Sequence, residues 1–178
     1  GRVWKLSATK FAYELVAQVG AMEKIKPHFS VKIDEYRMFK ILTKHRTIVA
    51  KETNAYLRSK GIIKYSATGV GEIVKVKGLD LYRYVMSFNT DLTYDQVAPT
   101  LNIIGMAVTS MLRSRRIERK SAQLEKDLDK ARDIQRSILP EHELRFHNYE
   151  IFGVSLADRV VGGDFFDYIV SDQNDRVS

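Results

Sequence analysis

Two carboxylates near the end of the chain have residue types and a spacing that could do chemistry. Asp164 and Asp167 stand three residues apart, directly after the pair Gly162 and Gly163. Carboxylate oxygens are the ligands that hard divalent cations take in proteins. Taken alone, however, two carboxylates three residues apart are more often an acidic pair at the edge of a loop.

A second motif lies upstream of this pair. Residues 131–140 read Ala-Arg-Asp-Ile-Gln-Arg-Ser-Ile-Leu-Pro and so end in Leu139-Pro140. Together with Gly162-Gly163-Asp164, this segment resembles the entry to the catalytic domain of the SpoIIE/RsbU branch of the metal-dependent serine/threonine protein phosphatases. In that family a helix ending in Leu-Pro leads into a strand that ends in Gly-Gly-Asp.

The resemblance implies a phosphatase that uses a binuclear Mn²⁺ or Mg²⁺ site to activate water for attack on phosphoserine or phosphothreonine. Asp164 matches the first metal-site aspartate of the family, held directly or through water, and is therefore the catalytic and metal candidate. Asp167 matches a second acidic position with a supporting role. Gly162 and Gly163 would let the backbone approach its neighbours closely.

The rest of that metal site would have to come from further along the chain. The family's remaining aspartates begin with an Asp-x-Ser-Gly segment, which does not occur before Ser178. We therefore expect an incomplete site in these residues, with no metal bound and no phosphatase activity of their own.

The composition is that of an ordinary globular protein, with 44% hydrophobic and 29% charged residues in 178. No apolar stretch approaches the length of a membrane span. The chain has no cysteine, which excludes disulfides, thiolate metal sites and cysteine nucleophiles. We expect a cytoplasmic protein, and the start at Gly1 indicates a segment excised from a longer chain.

The charge is distributed unevenly. Residues 1–90 contain 17 Lys and Arg against 7 Asp and Glu, whereas residues 91–178 contain 12 against 15. A basic half can attract polyanions or acidic proteins, but no nucleic-acid motif or basic stripe with interleaved aromatic residues accompanies it. We interpret it as a solvated basic surface and expect no nucleic-acid partner.

Hydrophobic periodicity predicts an α+β domain before the long helix described next. Gly69 and Gly71 are typical of a hairpin or bulge. We expect three aromatic residues either to fill the core or to line a ligand pocket: Trp4, Tyr82 and Tyr84. The predicted elements are a helix at 6–24, two strands within 29–42 around a turn at 34–35, a helix at 47–60 ended by Gly61, and strands at 62–65, 72–76 and 79–88.

A long helix follows. Thr93 to Gln96 matches a capping box, and Pro99 then indicates either a kink or a separate first turn. If residues 93–139 are all helical, the helix is roughly 70 Å long at about 1.5 Å per residue. Its first half has an apolar face that should close over the sheet: Leu101, Ile104, Val108, Met111 and Leu112.

The second half of this helix has a 4-3 apolar seam flanked by charges, which predicts a weak coiled coil. Small and polar seam residues make it only marginally stable. We expect a parallel homodimer through residues 113–139. The seam residues are Ile117, Ser121, Leu124, Leu128, Ala131, Gln135 and Ile138.

The order of predicted elements resembles a GAF domain, with a PAS-like fold as the alternative; the nearest local match is residues 79–113. The implied organisation is a GAF-like sensor at 1–112, a coiled-coil linker helix at 113–140 and the first strands of a truncated phosphatase domain at 141–178. The sensor would take a small molecule or a protein as its input.

Two functions fit this organisation. The first is the regulatory fragment of a bacterial signalling phosphatase that dephosphorylates a phosphoprotein, such as an anti-sigma-factor antagonist. In it, the geometry of paired helices would set whether Asp164 is presented for metal binding. The alternative is a non-catalytic dimeric sensor or scaffold whose phosphatase-like tail is a docking segment.

Overall fold

The computed structural model describes residues 1–20, 23–157, 160–171 and 176–178. They form two compact units, Gly1–Arg115 and Arg116–Ser178. The architecture is α+β, which confirms the predicted fold class at that level.

The first unit is built on one antiparallel sheet. Its strands are β1 (Arg2–Ser7), β2 (Ala12–Gln18), β3 (Ser30–Lys32), β4 (Thr47–Ala50), β5 (Tyr65–Val76) and β6 (Leu79–Asn89). They lie in the order β3-β2-β1-β6-β5-β4, so the first and last strands of the unit are central neighbours. Two short helices, α1 (Met38–Leu42) and α2 (Ala55–Ser59), flank β4 in the chain.

One face of this sheet carries the hydrophobic core. In β1 the side chains of Arg2, Trp4 and Leu6 are buried while Lys5 is exposed, as the two-residue period of a strand requires. Trp4 is paired with Val85 of β6. Helix α1 packs over this face, where the stacked rings of Tyr13 and Phe39 have centroids 4.4 Å apart.

The predicted helix at 6–24 is wrong. β1 and β2 occupy this segment and are paired antiparallel, with Leu6 opposite Tyr13. The tight connection between them places Phe11 at φ 49°. The core positions of two short strands joined by a turn imitate helical spacing, which explains the error. Met22, part of the same predicted pattern, lies outside the described residues.

The middle of the domain was predicted in part. β3 confirms the first of two strands expected in residues 29–42, but helix α1 stands where the second was predicted. Residues 47–60 were predicted as one helix, but they form strand β4 followed by the short helix α2. The Asn54 side chain caps α2 by accepting a hydrogen bond from Leu57 N at 2.8 Å, and Gly61, at φ 74°, follows it as expected.

β5 is one long strand rather than two short ones. The register with β6 shifts between Val70 and Ile73, and Gly71 there has φ 84°. This confirms a bulge at the glycine pair. Strand β6 agrees with the prediction, and the turn before it places Gly78 at φ 79°.

The predicted long helix is present as α3 (Tyr94–Ile138), 45 residues. Thr93 N donates to Gln96 Oε1 at 2.8 Å, which confirms this half of the capping box. Pro99 lies inside the continuous helix, so a separate first turn is excluded. None of the helices in the described part of the chain combines the length and the hydropathy of a membrane-spanning segment.

Contact between α3 and the sheet is narrower than predicted. The buried residues of the helix are Val97, Ala98, Leu101 and Gly105, whereas Met111 and Leu112 are exposed. A Cβ on Gly105 would lie 2.6 Å from Thr68 Oγ1 and 3.3 Å from Gly69 O. Glycine therefore allows the helix to lie close to β5.

The second unit contains the end of α3 and a hairpin of two short strands, β7 (Glu143–Phe146) and β8 (Tyr149–Phe152). The expected strand ending in Gly-Gly-Asp is not formed, because residues 160–169 have no regular secondary structure. An isolated bridge joins Val170 to Val177.

Candidate functional site

The two candidate carboxylates lie on an exposed segment after β8. The Asp164 side chain is exposed, and its backbone oxygen accepts a hydrogen bond from Ser155 Oγ at 3.2 Å. Asp167 is also exposed, and its Oδ1 accepts from Tyr168 N at 2.8 Å. Asp164 is thus exposed to solvent, whereas one carboxylate oxygen of Asp167 is engaged by a hydrogen bond from its neighbour.

The described residues do not make up a two-metal centre. Among them, no three His, Cys, Asp or Glu side chains cluster closely enough to hold a metal ion. Asp164 and Asp167 supply two carboxylates of the kind that hard divalent cations take as ligands.

Helix α3 positions the segment that leads to Asp164. The Gln135 amide makes two hydrogen bonds to one residue: Nε2 donates to Gly162 O at 2.8 Å, and Oε1 accepts from Gly162 N at 2.9 Å. Each such bond contributes about 0.5–1.5 kcal/mol net. The heptad pattern assigned Gln135 to the coiled-coil seam. In the structure its side chain holds Gly162, two positions before Asp164.

The two glycines of the motif have different surroundings. A Cβ on Gly162 would lie 3.4 Å from Gln135 Nε2 and 3.5 Å from the Cβ of Ala157, so the backbone is close to its neighbours there. A Cβ on Gly163 would meet no atom of the described residues within 4 Å. The backbone is therefore close to its neighbours at Gly162, whereas Gly163 has space around it among the described residues.

A small aromatic cluster anchors the other side of the motif. Gly153 and His142 pair at the open end of the β7–β8 hairpin, where Gly153 N donates to His142 O at 3.0 Å. Tyr168 Oη donates to the same carbonyl at 3.2 Å. The ring of Phe166 stacks on His142 with centroids 6.4 Å apart. Since Phe166 and Tyr168 point toward the hairpin, the residues between and before them, Asp167 and Asp164, are left exposed.

Gly153 is a residue of this site that sequence reasoning missed. A Cβ there would overlap the Phe166 ring and lie 2.7 Å from Tyr168 Oη. No positive φ or turn motif marks the position, because the requirement comes from residues more than ten positions away.

The first unit contains a cavity of about 40 Å³ between the core face of the sheet and α1 and α2. Trp4, one of the three aromatics predicted for core or pocket, lines it, while Tyr82 is buried in the core and Tyr84 is half-buried. Burial raises the pKa of Tyr65, whose hydroxyl donates to Met38 Sδ at 2.5 Å. The lining residues are Arg2, Trp4, Val31, Tyr36, Met38, Phe39, Glu52, Leu57, Ile62, Tyr65, Val85 and Ser87.

The opposite face of β4 and β5 holds α3 through polar contacts. Thr47 Oγ1, fully buried, donates to Asn102 Oδ1 at 2.8 Å and lies 3.2 Å from Thr68 Oγ1. Farther along, Gly71 N donates to Thr109 Oγ1 at 2.9 Å. β5 thus takes part in both the cavity, through Tyr65, and the α3 contact, through Thr68.

Comparison with known proteins adds no relative: no family model, no curated protein and no solved structure matches this chain.

Proposed function

We propose that this chain is the regulatory part, a sensor and a linker helix, of a bacterial signalling serine/threonine phosphatase. The substrate class is a phosphoprotein such as an anti-sigma-factor antagonist. The sequence motifs around Leu139-Pro140 and Gly162-Gly163-Asp164 support the enzyme class. One observation carries the regulatory role: Gln135, on helix α3, holds Gly162 by two hydrogen bonds.

The sheet domain is assigned as the sensor, with a GAF-like fold. Its six-stranded sheet has a cavity on one face and α3 on the other, and β5 contributes to both. A ligand that changes the position of β5 at Tyr65 would also act on Thr68 and Gly71, which contact the helix. Packed layers transmit such shifts because they are dense and resist compression.

Helix α3 is assigned as the transmitting element and pairs in parallel with a second copy through residues 113–139. Apolar seam residues are exposed on it: Ile117 is 58% exposed and Leu124 is 61% exposed. A weak seam has alternative pairings that differ by a few kcal/mol, which ligand binding can shift. A change in pairing would then reach Gly162 through Gln135 and alter the presentation of Asp164.

Phosphate release by the full-length protein tests this proposal. With Mn²⁺ and a phosphoserine protein as substrate, Asp164→Asn should abolish turnover, because Asp164 is assigned as a metal-site carboxylate. Asp167→Asn should have a smaller effect. Asp80→Asn, an exposed carboxylate on β6, is the matched control and should leave turnover unchanged. Full turnover by the Asp164→Asn variant would overturn the assignment, and no metal-dependent turnover at all would favour the non-catalytic scaffold.

A further inference from the structure

The cavity of the sheet domain has a size suited to a small ligand. Its volume of about 40 Å³ is roughly three times the 10–15 Å³ that one water requires. A molecule of a few non-hydrogen atoms would fit. Most of its lining is apolar, which leaves a small number of polar groups to select the ligand.

Arg2 is the polar group that lacks a full set of partners. The residue is 6% exposed, and its Nη1 donates to Asn89 Oδ1 at 2.7 Å. Its Nε is buried and has no hydrogen-bond partner among the described residues. Asn89 is neutral, so this hydrogen bond supplies no counter-charge. A buried guanidinium with a free donor is costly unless an acceptor, best an anion, reaches it.

Two hydrogen bonds engage other polar groups in the wall. Trp4 Nε1 donates to Ser87 Oγ at 2.9 Å, and Tyr65 Oη donates to Met38 Sδ. The remaining charged group, Glu52, is exposed and lies at the edge of the lining. Its carboxylate would repel negative charge on a ligand, and a doubly charged anion more strongly than a singly charged one. The cavity therefore favours one negative charge and a short apolar body.

We propose that this cavity binds a small monocarboxylate, of about the size of acetate or propionate. Its carboxylate accepts hydrogen bonds from the Arg2 guanidinium, and its alkyl group packs against Trp4, Met38 and Phe39. This proposal deepens the proposed function by naming the ligand that the sensor would bind. Binding itself does not depend on the proposed function, but the regulatory role of the ligand rests on it.

Calorimetric titration of the 178-residue chain with propionate tests the proposal. We expect saturable binding, with inorganic phosphate and ethylammonium binding at least about tenfold more weakly. Arg2→Gln should weaken propionate binding about tenfold or more, consistent with a charge-assisted hydrogen bond, and Arg2→Lys should recover only part of it because it lacks the planar fork. Equal affinity in wild type and Arg2→Gln would overturn the proposal, as would the absence of saturable binding.

An exposed position provides a second variant in case Arg2→Gln fails to fold. Glu52→Gln removes the repelling charge without touching the buried guanidinium. It should strengthen propionate binding about two- to fivefold at low salt. The preference for propionate over phosphate should become smaller, because the repelling charge is gone. Unchanged affinities for both anions would contradict the proposal. Failure here leaves the phosphatase assignment intact, because that is tested separately by Asp164→Asn.

Discussion

Gln135 and Gly162 are joined by a pair of hydrogen bonds that uses both ends of the Gln135 side-chain amide. Nε2 donates to Gly162 O at 2.8 Å, and Gly162 N donates to Oε1 at 2.9 Å. The side-chain amide thus makes the two backbone hydrogen bonds that a neighbouring strand would make with Gly162 in a sheet. Because Gln135 lies on α3, this pair connects the helix to the backbone two residues before Asp164.

Loss of this pair should free the segment around Gly162. In Gln135→Ala, we expect the Gly162 amide to exchange with solvent roughly 5- to 30-fold faster, corresponding to about 1–2 kcal/mol from two part-buried hydrogen bonds. Hydrogen exchange followed by mass spectrometry of residues 160–171 measures this. Gln123→Ala is the control, because Gln123 lies on the same helix and its side chain donates a hydrogen bond to exposed Asp127. Equal protection in the two variants would show that the pair does not hold the segment.

The aromatic anchor gives a second prediction. Gly153→Ala would place a methyl group against Phe166 and Tyr168, so these rings should leave the β7–β8 hairpin. Chymotrypsin should then cleave at Phe165 or Phe166 several times faster. Gly163→Ala is the matched control, since a Cβ there meets no atom within 4 Å in the part of the chain that the structure describes. Similar cleavage rates in both variants would argue against close packing at Gly153.

The stability of the sheet domain should fall at high pH. Burial raises the pKa of Tyr65 and Tyr13 in the folded state. Their contribution is complete below about pH 10, where tyrosine in the unfolded chain is still neutral, and is lost as the pH rises further. The slope is about 1.4 kcal/mol per pH unit for each tyrosine. Urea unfolding between pH 8 and 11.5 measures it.

Tyr65→Phe isolates one of these groups. The free energy of unfolding should depend less steeply on pH above 10 in this variant, at the cost of the hydrogen bond to Met38. Tyr94→Phe, at an exposed position that starts α3, should retain the wild-type slope. If Tyr65→Phe also keeps the wild-type slope, Tyr65 is not the buried group responsible.

Helix pairing gives a fourth prediction. Leucine at Ser121 and Ala131 should strengthen the seam, because both positions are small and belong to the 4-3 pattern. Sedimentation equilibrium at micromolar concentration should show more dimer than in wild type. Gln135 is left unchanged in this variant because it holds Gly162. A monomeric mass for both proteins would count against a coiled-coil dimer.

The elements with the strongest local signals could be predicted from the sequence. Helix α3 begins after the Thr93 capping box and ends before Leu139-Pro140, and both signals depend only on neighbouring residues. Strand β6 is a continuous apolar and aromatic run after Gly78. These elements are long, and their patterns repeat often enough to exclude other structures.

The prediction of shorter elements failed where a polar residue occupies a core position. Arg2, Trp4 and Leu6 alternate as a buried strand should, but the arginine hides the pattern. Thr47 is fully buried in β4 because Asn102, far along the chain, accepts its hydrogen bond. The pairing of Gln135 with Gly162 likewise spans 27 residues. Such partners exist only after folding, so the motif identified Asp164 as a candidate but not the residues that position it.

Phosphate release by the full-length protein, compared between Gln135→Ala and Gln123→Ala, tests the central claim most directly. If α3 sets the presentation of Asp164 through Gly162, Gln135→Ala should change Mn²⁺-dependent turnover of a phosphoprotein about 5- to 30-fold, the range expected for about 1–2 kcal/mol. Gln123→Ala should stay within about twofold of wild type. Wild-type turnover in Gln135→Ala would contradict transmission through this pair.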